Sequence, residues 1–525
     1  MEHALDRRIA SAVSPPLLAL SSSRDVEAST KISHVTSLES IGSTTSKKGS
    51  IDIDALLRDV KLLVDQACHQ IPDPSFDSTS PPPAPGASIA LSPTSRTGTS
   101  TAAASAGSEI SGEKLIESLG DRKILVTTER RVGLGSVSCM LKIATLLHEQ
   151  LHIPSDQIVV SCIDTPESVA IFNTKYNFPT SLSEADEENL AACIVAPCER
   201  SLFYERPCPT LYIPQYDYPP ETNAVPPRRE EDGEGTCGSI SWLTMGFSKE
   251  VGGGILISDE LVEWGFSEPK PSETRVRLLT ELSPEISTTI FKCLPEELEL
   301  SETTTSFDEH NRLYYGYATS PKVCCDYIEA IAKVDRDKIP SKNITIVLPG
   351  NHLEDFGLPN LLPSRKAELI AQGIGSIELI RPGEPPTIIT LDPSLSKTLT
   401  IISGPISYSD TTLLLKASEK EVLITGDQSL SEAISVNKTF IYETHTHKET
   451  FAAGINTEFQ KSTGVHTRIT TFKGSTSSDM YSVFSTCRET PIFERFNRHI
   501  VENRNCNHTI ADRVKLMIVG DADSS

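Results

Sequence analysis

No apolar run in this 525-residue sequence is long enough to span a bilayer, and SPPLLAL near the start is too short and too broken by proline to predict a signal peptide. Basic charge is scarce as well, because 48 lysines and arginines stand against 71 aspartates and glutamates, a formal net charge of −23. A nucleic acid or an anionic membrane surface would require a basic face. We therefore predict a soluble protein that has no membrane span and does not bind nucleic acid.

Paired cysteine spacing of the kind that binds structural zinc is absent, although the sequence contains twelve cysteines. Cys139, Cys162 and Cys193 lie within apolar helix or strand patterns, where a free thiol behaves as a small hydrophobic side chain. We expect a reducing, cytoplasmic environment. The long N-terminal arm described next also suits a protein exported by a specialised bacterial secretion system, so export remains an alternative.

Apolar residues are sparse in residues 1–110, where runs such as STSPPPAPGAS and SPTSRTGTSTAAASAGS predict a disordered, Ser/Pro-rich arm. One segment, IDIDALLRDVKLLVDQACHQI at 51–71, places apolar side chains at helical spacing. We interpret it as an amphipathic helix that docks on the folded body, in preference to a dedicated partner-binding motif.

Beyond the arm, continuous apolar strand patterns alternate with helical patterns in two successive arrays. This alternation is typical of parallel sheets covered by helices on both faces. The fold class that we predict is therefore α/β, with two doubly wound, Rossmann-like domains facing a cleft. Their predicted extents are an N-terminal domain over 113–305 with an insertion near 216–240, a C-terminal domain over 306–490, and terminal helices over 491–525 that pack back on the body.

The segment EVLITGDQSLSEAISVNKTFIYE, residues 421–443, predicts a strand, a tight polar turn, a short helix and a second strand. Two interpretations of the turn compete. In one, Ser429 caps the helix and Glu432 completes a capping box, because the two residues have S-x-x-E spacing. In the other, N–H groups at the start of the helix hold an anionic ligand. The spacing leaves both open.

The longer segment SGPISYSDTTLLLKASEKEVLITGDQSLSEAISVNKTFIYETHTHKE resembles the donor-binding half of GT-B glycosyltransferases, such as the peptidoglycan N-acetylglucosamine transferase and the protein-arginine rhamnosyltransferases. The resemblance is specific over 403–455, weaker over 311–402 and architectural over 113–215. It implies a GT-B fold and transfer of a sugar from a nucleotide-sugar donor. Two departures put the identity of the donor in doubt: Asn437-Lys438-Thr439 stands where a proline commonly follows the lysine, and Asp427 lies in a turn that is glycine-rich in the family.

Carried over residue by residue, the resemblance implies a donor site in the C-terminal domain. The turn would meet the diphosphate or the sugar, Glu432 would accept from the ribose hydroxyls, and the loop after the next strand would line the donor. Gly350 and Asn351, which follow the strand in SKNITIVLPGN, are assigned to the same site. The remaining donor-binding residues of this half are Gly426, Asp427, Gln428, Ser429, His445, His447 and Lys448.

The histidines of YETHTHKET also allow two interpretations that involve no donor. A metal site at His445 and His447 is disfavoured, because no third ligand stands nearby at a recognisable spacing. Solvated loop histidines are the stronger competitor. We therefore predict no metal and no cofactor, with the nucleotide-sugar as substrate.

In the N-terminal array, ERRVGLGSVSC follows the first strand and nearly matches G-x-G-x-x-G, with Asp164 at the end of the next strand. A dinucleotide site is one interpretation of this near match. In a GT-B enzyme the same loop faces the cleft, so Gly133 and Gly135 are assigned to donor binding. An inverting transferase also needs a base that takes the acceptor's proton. Glu129, at the end of the first strand, is the first candidate and Asp164 is the second.

The function predicted from the sequence is glycosyl transfer to an acceptor, with a protein as the acceptor that best suits the long arm and the insertion. A nucleotide-sugar epimerase of the same fold is the alternative within enzymes. A binding or effector protein that retains the fold without its chemistry is the alternative from another class, since fold alone does not decide function.

Overall fold

A computed structural model of the chain describes residues 110–128, 134–162, 169, 175–198, 208–214, 216, 240–243, 245–247, 253–267, 272–292, 311–338, 342–354, 357–488 and 490–522. All of them belong to one unit that begins at Ala103. The predicted arm, the helix predicted over 51–71 and most of the insertion predicted near 216–240 lie outside the described residues.

The first sheet has five parallel strands in the order β2-β1-β3-β4-β5, which is a common order of doubly wound folds. Strand sequences such as KILVTT and IVVSC are short apolar runs with few exposed side chains, as a sheet covered on both faces requires. The strands are β1 (Lys123–Thr128), β2 (Ile158–Cys162), β3 (Leu190–Cys198), β4 (Thr210–Pro214) and β5 (Ile240–Trp242).

Among the described residues, three helices precede or separate the strands of this sheet, and three more follow its last strand in the chain. They are α1 (Gly112–Leu119), α2 (Leu134–Leu151), α3 (Glu184–Glu188), α4 (Asp259–Phe266), α5 (Ser272–Thr280) and α6 (Pro284–Phe291). Helix α2 packs on β1, β2 and β3, because Met140, Ile143, Ala144 and Leu147 recur on one buried face.

One detail of the N-terminal prediction is wrong. Gly135 lies in the first turn of α2 rather than in a loop. Residues 255–257 are apolar but form no strand, and Ile255 makes only an isolated bridge to Asn505 of the C-terminal segment.

The second sheet has seven strands in the order β12-β11-β6-β7-β10-β8-β9, all parallel to their neighbours except the edge strand β9. They are β6 (Asn311–Gly316), β7 (Asn343–Pro349), β8 (Ile374–Ile380), β9 (Thr387–Thr390), β10 (Lys397–Gly404), β11 (Glu421–Ile424) and β12 (Thr439–Tyr442).

The helices of this half are α7 (Pro321–Asp337), α8 (Leu358–Leu361), α9 (Lys366–Ala371), α10 (Tyr408–Ala417), α11 (Asp427–Ser435), α12 (Glu449–Thr463), α13 (Ser477–Arg488), α14 (Ile492–Asn503) and α15 (Asn507–Ala522). Short 3₁₀ turns cover Ser155–Gln157, Leu362–Arg365 and Thr446–Lys448. The last helix, α15, packs against α1, α2 and β3 of the first sheet.

The order of the second sheet identifies where a ligand would bind. From β6 the chain moves to β7 on one side, and from β11 it moves to β12 on the other, although β6 and β11 are neighbours. Ligands of doubly wound sheets bind at such a reversal, beyond the carboxyl ends of the strands. The loops after β6, β11 and β12 are therefore the first place to look for a site.

The prediction of an α/β fold with two doubly wound parallel sheets is confirmed by this strand pairing. The domain limits that we set from the sequence stay predictions. In the part of the chain that the structure describes, no helix is both long and apolar enough to cross a membrane.

Candidate active site at the carboxyl edge of the second sheet

The turn between β11 and α11 leaves the start of the helix uncapped. The helix begins at Asp427, and its N-cap residue is Gly426, which has φ +80° and makes no side-chain capping bond. Of the two interpretations left open by the sequence, the capping box of Ser429 and Glu432 is therefore wrong, because Ser429 already lies inside the first turn. No described residue accepts a hydrogen bond from the first three N–H groups of the helix. Such a helix start attracts anions.

Glu432 lies one turn further into α11 and is almost fully buried, with 2% of its surface exposed. Its Oε1 atom accepts from the hydroxyl of Tyr408 at 2.7 Å and from Nε2 of Gln428 at 2.8 Å. The ammonium of Lys142, on α2 of the first sheet, lies 3.5 Å from the same oxygen. No described residue bonds Oε2. The carboxylate is thus fixed through Oε1, and Oε2 can still accept a hydrogen bond.

Tyr408 stays protonated in this arrangement. Burial raises the pKa of the Tyr408 phenol, and the negative charge of Glu432 raises it further. The phenol therefore acts as a permanent donor to Glu432, which keeps the orientation of the carboxylate constant over the physiological pH range.

Helix α11 is packed between helices from both parts of the chain. Helix α2 contacts it on the side of Lys142, and helix α4 contacts its carboxyl end. Gly265 of α4 approaches so closely that an added Cβ atom would lie 2.5 Å from the carbonyl oxygen of Ser435. The position of the helix start is therefore set by contacts along the whole helix.

Asp427 is engaged by the protein itself. Its Oδ2 atom accepts from the ammonium of Lys448 at 2.8 Å and from the main-chain N–H of Tyr216 at 3.2 Å. Its Oδ1 atom is buried and has no hydrogen-bond partner among the described residues. Lys448 is 6% exposed, so the pair neutralises two charges that would be costly to bury singly.

Tyr216, which follows β4 of the first sheet, is a site residue that we did not predict. Its hydroxyl bonds to Ser431 of α11 at 3.1 Å and accepts from the N–H of Leu256 at 3.0 Å. Its ring packs against Phe451 with ring centroids 5.5 Å apart. Tyr216 thereby connects the first sheet to the amino-terminal half of α11.

Glu443, immediately after β12, was also missed by the prediction. It is 3% exposed, and its carboxylate accepts from the main-chain N–H groups of Thr319 and Ser320 at 2.7 and 2.9 Å. These N–H groups lead into α7, so an internal carboxylate fills the helix start beside β6. The start of α11 has no such carboxylate cap among the described residues.

His445 and His447 lie side by side in the following loop. Their rings are nearly parallel, at 7°, with centroids 5.6 Å apart. Burial lowers the pKa of His447, and the positive charges of His445 and Lys448 lower it further. The Nε2 atom of His445 lies 3.1 Å from the hydroxyl of Thr425, which follows β11.

The other predicted site residues lie apart or outside the described residues. Gly350 and Asn351 follow β7 at the same edge, and the N–H of Gly350 donates to the carbonyl of Gly404 at 2.9 Å. Gly135 is exposed in the first turn of α2. Glu129, Gly133 and Asp164 lie outside the described residues. The structure thus brings together the predicted site residues of 426–432 and 445–448 and adds Lys142, Tyr216, Thr319, Tyr408 and Glu443 to them.

The comparisons with known proteins give structural neighbours only. No family model and no curated protein matches the chain. It is similar to a glycosyltransferase from Rickettsia africae, at 11% identity and a TM-score of 0.40 over 77% of this chain and 100% of that chain. It is similar also to a UDP-forming trehalose-phosphate synthase from Burkholderia xenovorans, at 9% identity and a TM-score of 0.34 over 77% of this chain and 100% of that chain. A third similar structure is that of EarP, which is described as mediating arginine glycosylation of translation elongation factor EF-P. Its identity is 11% and its TM-score 0.34, over 74% of this chain and 97% of that chain. Likenesses this distant carry no weight in assigning an activity.

Proposed function

We propose that the protein transfers a sugar from a nucleotide-sugar donor to an acceptor, and that the donor binds at the start of α11. The observation that carries this proposal is the state of Glu432. Three neighbours hold its Oε1 atom, and no described residue uses Oε2. A buried carboxylate oxygen that is oriented but unused suits a ligand hydroxyl, such as a ribose hydroxyl.

The helix start beside Glu432 suits the diphosphate of the same ligand. A departing nucleoside diphosphate gains negative charge, and preorganised N–H groups at a helix start stabilise that charge at little reorganisation cost. Asp427 would repel a diphosphate if it stood alone. Its pairing with Lys448 offsets the repulsion. No described residue accepts from the N–H groups of Gln428 and Ser429, so these groups can donate to a bound anion.

The remaining assignments are part of the proposal. Gly133 and Gly135 would allow close approach of donor and acceptor from the first sheet, and Gly350 and Asn351 would border the donor on the other side. Glu129 and Asp164 stay predictions as candidates for the base. The acceptor that we propose is a protein. We propose that the reaction takes place in the cytoplasm or after export of the protein.

A second function is favoured by one specific contact. Tyr216 donates to Asp427 and bonds to Ser431, so a side chain of the protein already covers part of α11. A binding or effector protein that has lost the chemistry would tolerate such cover. An epimerase would bind the same donor but would need no acceptor.

The proposal is tested by thermal unfolding of the full chain with a panel of UDP-, GDP-, ADP- and dTDP-sugars and with NAD. A ligand at 100 times its Kd stabilises the native state by about 2.7 kcal/mol. We expect one nucleotide sugar to raise the Tm of the wild type and to lose this effect in Glu432→Gln. Glu458→Gln is the matched control, because Glu458, on α12, is also 2% exposed but accepts from Arg504, the residue that follows α14.

The outcomes separate the candidate functions. A nucleotide sugar that stabilises wild type and Glu458→Gln but not Glu432→Gln supports the donor site. Acceptor-dependent release of nucleoside diphosphate then indicates a transferase, and acceptor-independent change of the sugar indicates an epimerase. If no nucleotide sugar shifts the Tm, the transferase proposal fails and the binding protein is favoured. A shift with NAD alone would revive the dinucleotide interpretation of the first sheet.

A further inference from the structure

We propose that Nδ1 of His445, a residue predicted from the sequence to bind the donor, is instead the proton acceptor of the site, the atom that takes the proton from the acceptor nucleophile during sugar transfer in place of Glu129 or Asp164. The catalytic role rests on the proposed function, whereas the state of the imidazole ring follows from its neighbours alone. His445 turns Nε2 toward Thr319, Thr425 and the carboxylate of Glu443, and 34% of its side chain is exposed.

The hydrogens of two threonine hydroxyls decide which ring nitrogen carries a proton. Thr319 Oγ1 donates to Glu443 Oε2 at 3.2 Å, and Thr425 Oγ1 donates to the main-chain carbonyl of Glu443 at 3.4 Å. A hydroxyl has one hydrogen, so each of these oxygens presents a lone pair to His445 Nε2, at 3.4 and 3.1 Å. Two lone pairs directed at one ring nitrogen require that nitrogen to be N–H.

The opposite tautomer is disfavoured by charge. If Thr425 donated its hydrogen to Nε2, a bare nitrogen lone pair would lie 3.7 Å from Glu443 Oε2. That contact is repulsive for a bare nitrogen and attractive for N–H. The carboxylate has a fixed position, because the N–H groups of Thr319 and Ser320 donate to it. Nε2 therefore carries the proton and Nδ1 carries the lone pair.

Nδ1 lies on the side of the ring away from Glu443, and no described residue bonds it. Two titratable groups face the ring, Glu443 at Nε2 and His447 against one ring face. Burial lowers the pKa of His447, so its ring is neutral at pH 7 and does not oppose a charge on His445. The surroundings thus allow His445 to take up a proton at Nδ1.

The transfer step conserves atoms and charge. The nucleophilic atom of the acceptor forms a bond to the anomeric carbon while the bond from that carbon to the diphosphate oxygen breaks. The electron pair of the broken bond leaves with the nucleoside diphosphate, and the proton of the acceptor moves to Nδ1 of His445. The imidazolium keeps its Nε2–H toward Glu443, which stabilises the positive charge. Glu443 is therefore a positioning residue, since it acts through His445.

The state of the ring is tested without any substrate. The full chain is labelled with ¹⁵N-histidine and studied by NMR at pH 8, and the signals missing from His445→Gln identify the ring. We expect a protonated Nε2 and an unprotonated Nδ1. A ring protonated at Nδ1 would overturn the proposal, whatever the substrate of the protein.

The catalytic role is tested by release of nucleoside diphosphate from the nucleotide sugar that stabilises the wild type. We expect His445→Gln to lower kcat at least about 100-fold with an unchanged KM for the donor. Glu443→Gln should weaken the preference for a protonated Nε2 in the NMR spectrum, because the carboxylate that lies 3.7 Å from Nε2 is lost. His466→Gln is the control, because His466 is an exposed histidine of the same half that bonds to Gln460, and it should behave as wild type.

Other results separate this inference from the proposed function. Wild-type kcat in His445→Gln, or a raised KM with kcat unchanged, would overturn the role as base. If no nucleotide sugar binds the wild type, the proposed function fails and the catalytic role fails with it, while the NMR result still decides the state of the ring.

Discussion

The ion pair of Asp427 and Lys448 holds the start of α11, and we expect the two charges to depend strongly on each other. Nζ and Oδ2 are 2.8 Å apart, with 6% of the lysine and 22% of the aspartate side chain exposed. Lys448→Met would leave Asp427 Oδ2 with the N–H of Tyr216 alone and Oδ1 still without a partner among the described residues. Asp427→Asn would leave a buried ammonium whose other neighbour is the carbonyl of Tyr216, at 3.5 Å.

The expected magnitudes follow from burial. Removing one partner of a fully buried ion pair costs about 3–5 kcal/mol of the free energy of unfolding. Because Asp427 is partly exposed, we expect about 2–3 kcal/mol for each single variant. The double variant, Asp427→Asn with Lys448→Met, removes both charges and should cost no more than about 3 kcal/mol. The double-mutant cycle should then give a coupling of about 2 kcal/mol.

The coupling is measured from urea-induced unfolding of the four proteins, followed by circular dichroism. The pair Glu494 and Arg498 on α14 is the control, because it is 3.2 Å apart but 45% and 49% exposed. We expect a coupling of about 0.5 kcal/mol or less there. If the Asp427 and Lys448 variants add without coupling, the ion pair does not hold the helix start and the argument that it offsets the charge of Asp427 is refuted.

Three further perturbations have definite expected outcomes. Burial lowers the pKa of Lys438 to about 7 from 10.5, so the unfolded chain holds this proton over a pH range in which the folded chain has released it. Stability therefore rises with pH between those values by up to about 1.4 kcal/mol per unit, and Lys438→Met should lose this rise when unfolding is compared at pH 7 and 9. Gly254→Ala should destabilise by about 3 kcal/mol or more, because its Cβ would lie 2.0 Å from the carbonyl oxygen of Arg504, whereas Gly464→Ala, with φ +74° and open space, should cost about 1 kcal/mol in the same urea titration. Glu432→Ala should unfold at a lower temperature than Glu432→Gln, by an amount equivalent to about 1–2 kcal/mol, because it leaves the donors to Oε1 without an acceptor; equal Tm values would contradict that network.

Local patterns in the sequence were sufficient to predict the elements of the second sheet around the site. The run EVLI, the polar turn, the short helix and the run TFIY became β11, α11 and β12 in that order. Each strand is a continuous apolar run and the helix has one buried face, so the spacing of apolar residues is enough to predict the type and order of these elements. The assignment of Glu432 to the site came from the resemblance to GT-B glycosyltransferases and stays a prediction.

The exact start of α11 could not be predicted from spacing. Ser429 and Glu432 have the spacing of a capping box, but the helix begins two residues before Ser429. Gly426 makes this possible, because its positive φ turns the chain directly from β11 into the helix. A glycine at that place also permits a loop, so the sequence did not decide between the alternatives.

Contacts between distant parts of the chain could not be predicted from the sequence either. Tyr216 bonds to Asp427 across 211 residues, and Glu443 bonds to Thr319 across 124. Nothing in the residues next to Tyr216 or Glu443 indicates such partners. Ile255 is a third case, since its main chain bonds to the distant residues Arg504 and Cys506 instead of joining a sheet.

The central claim is that α11 and Glu432 bind a nucleotide sugar, and a crystal structure with the nucleotide sugar that raises the Tm tests it most directly. We predict a ribose hydroxyl within hydrogen-bond distance of Glu432 Oε2 and phosphate oxygens at the N–H groups of Gln428 and Ser429. A nucleotide bound elsewhere, with Glu432 Oε2 and the start of α11 left without ligand contacts, would contradict the claim.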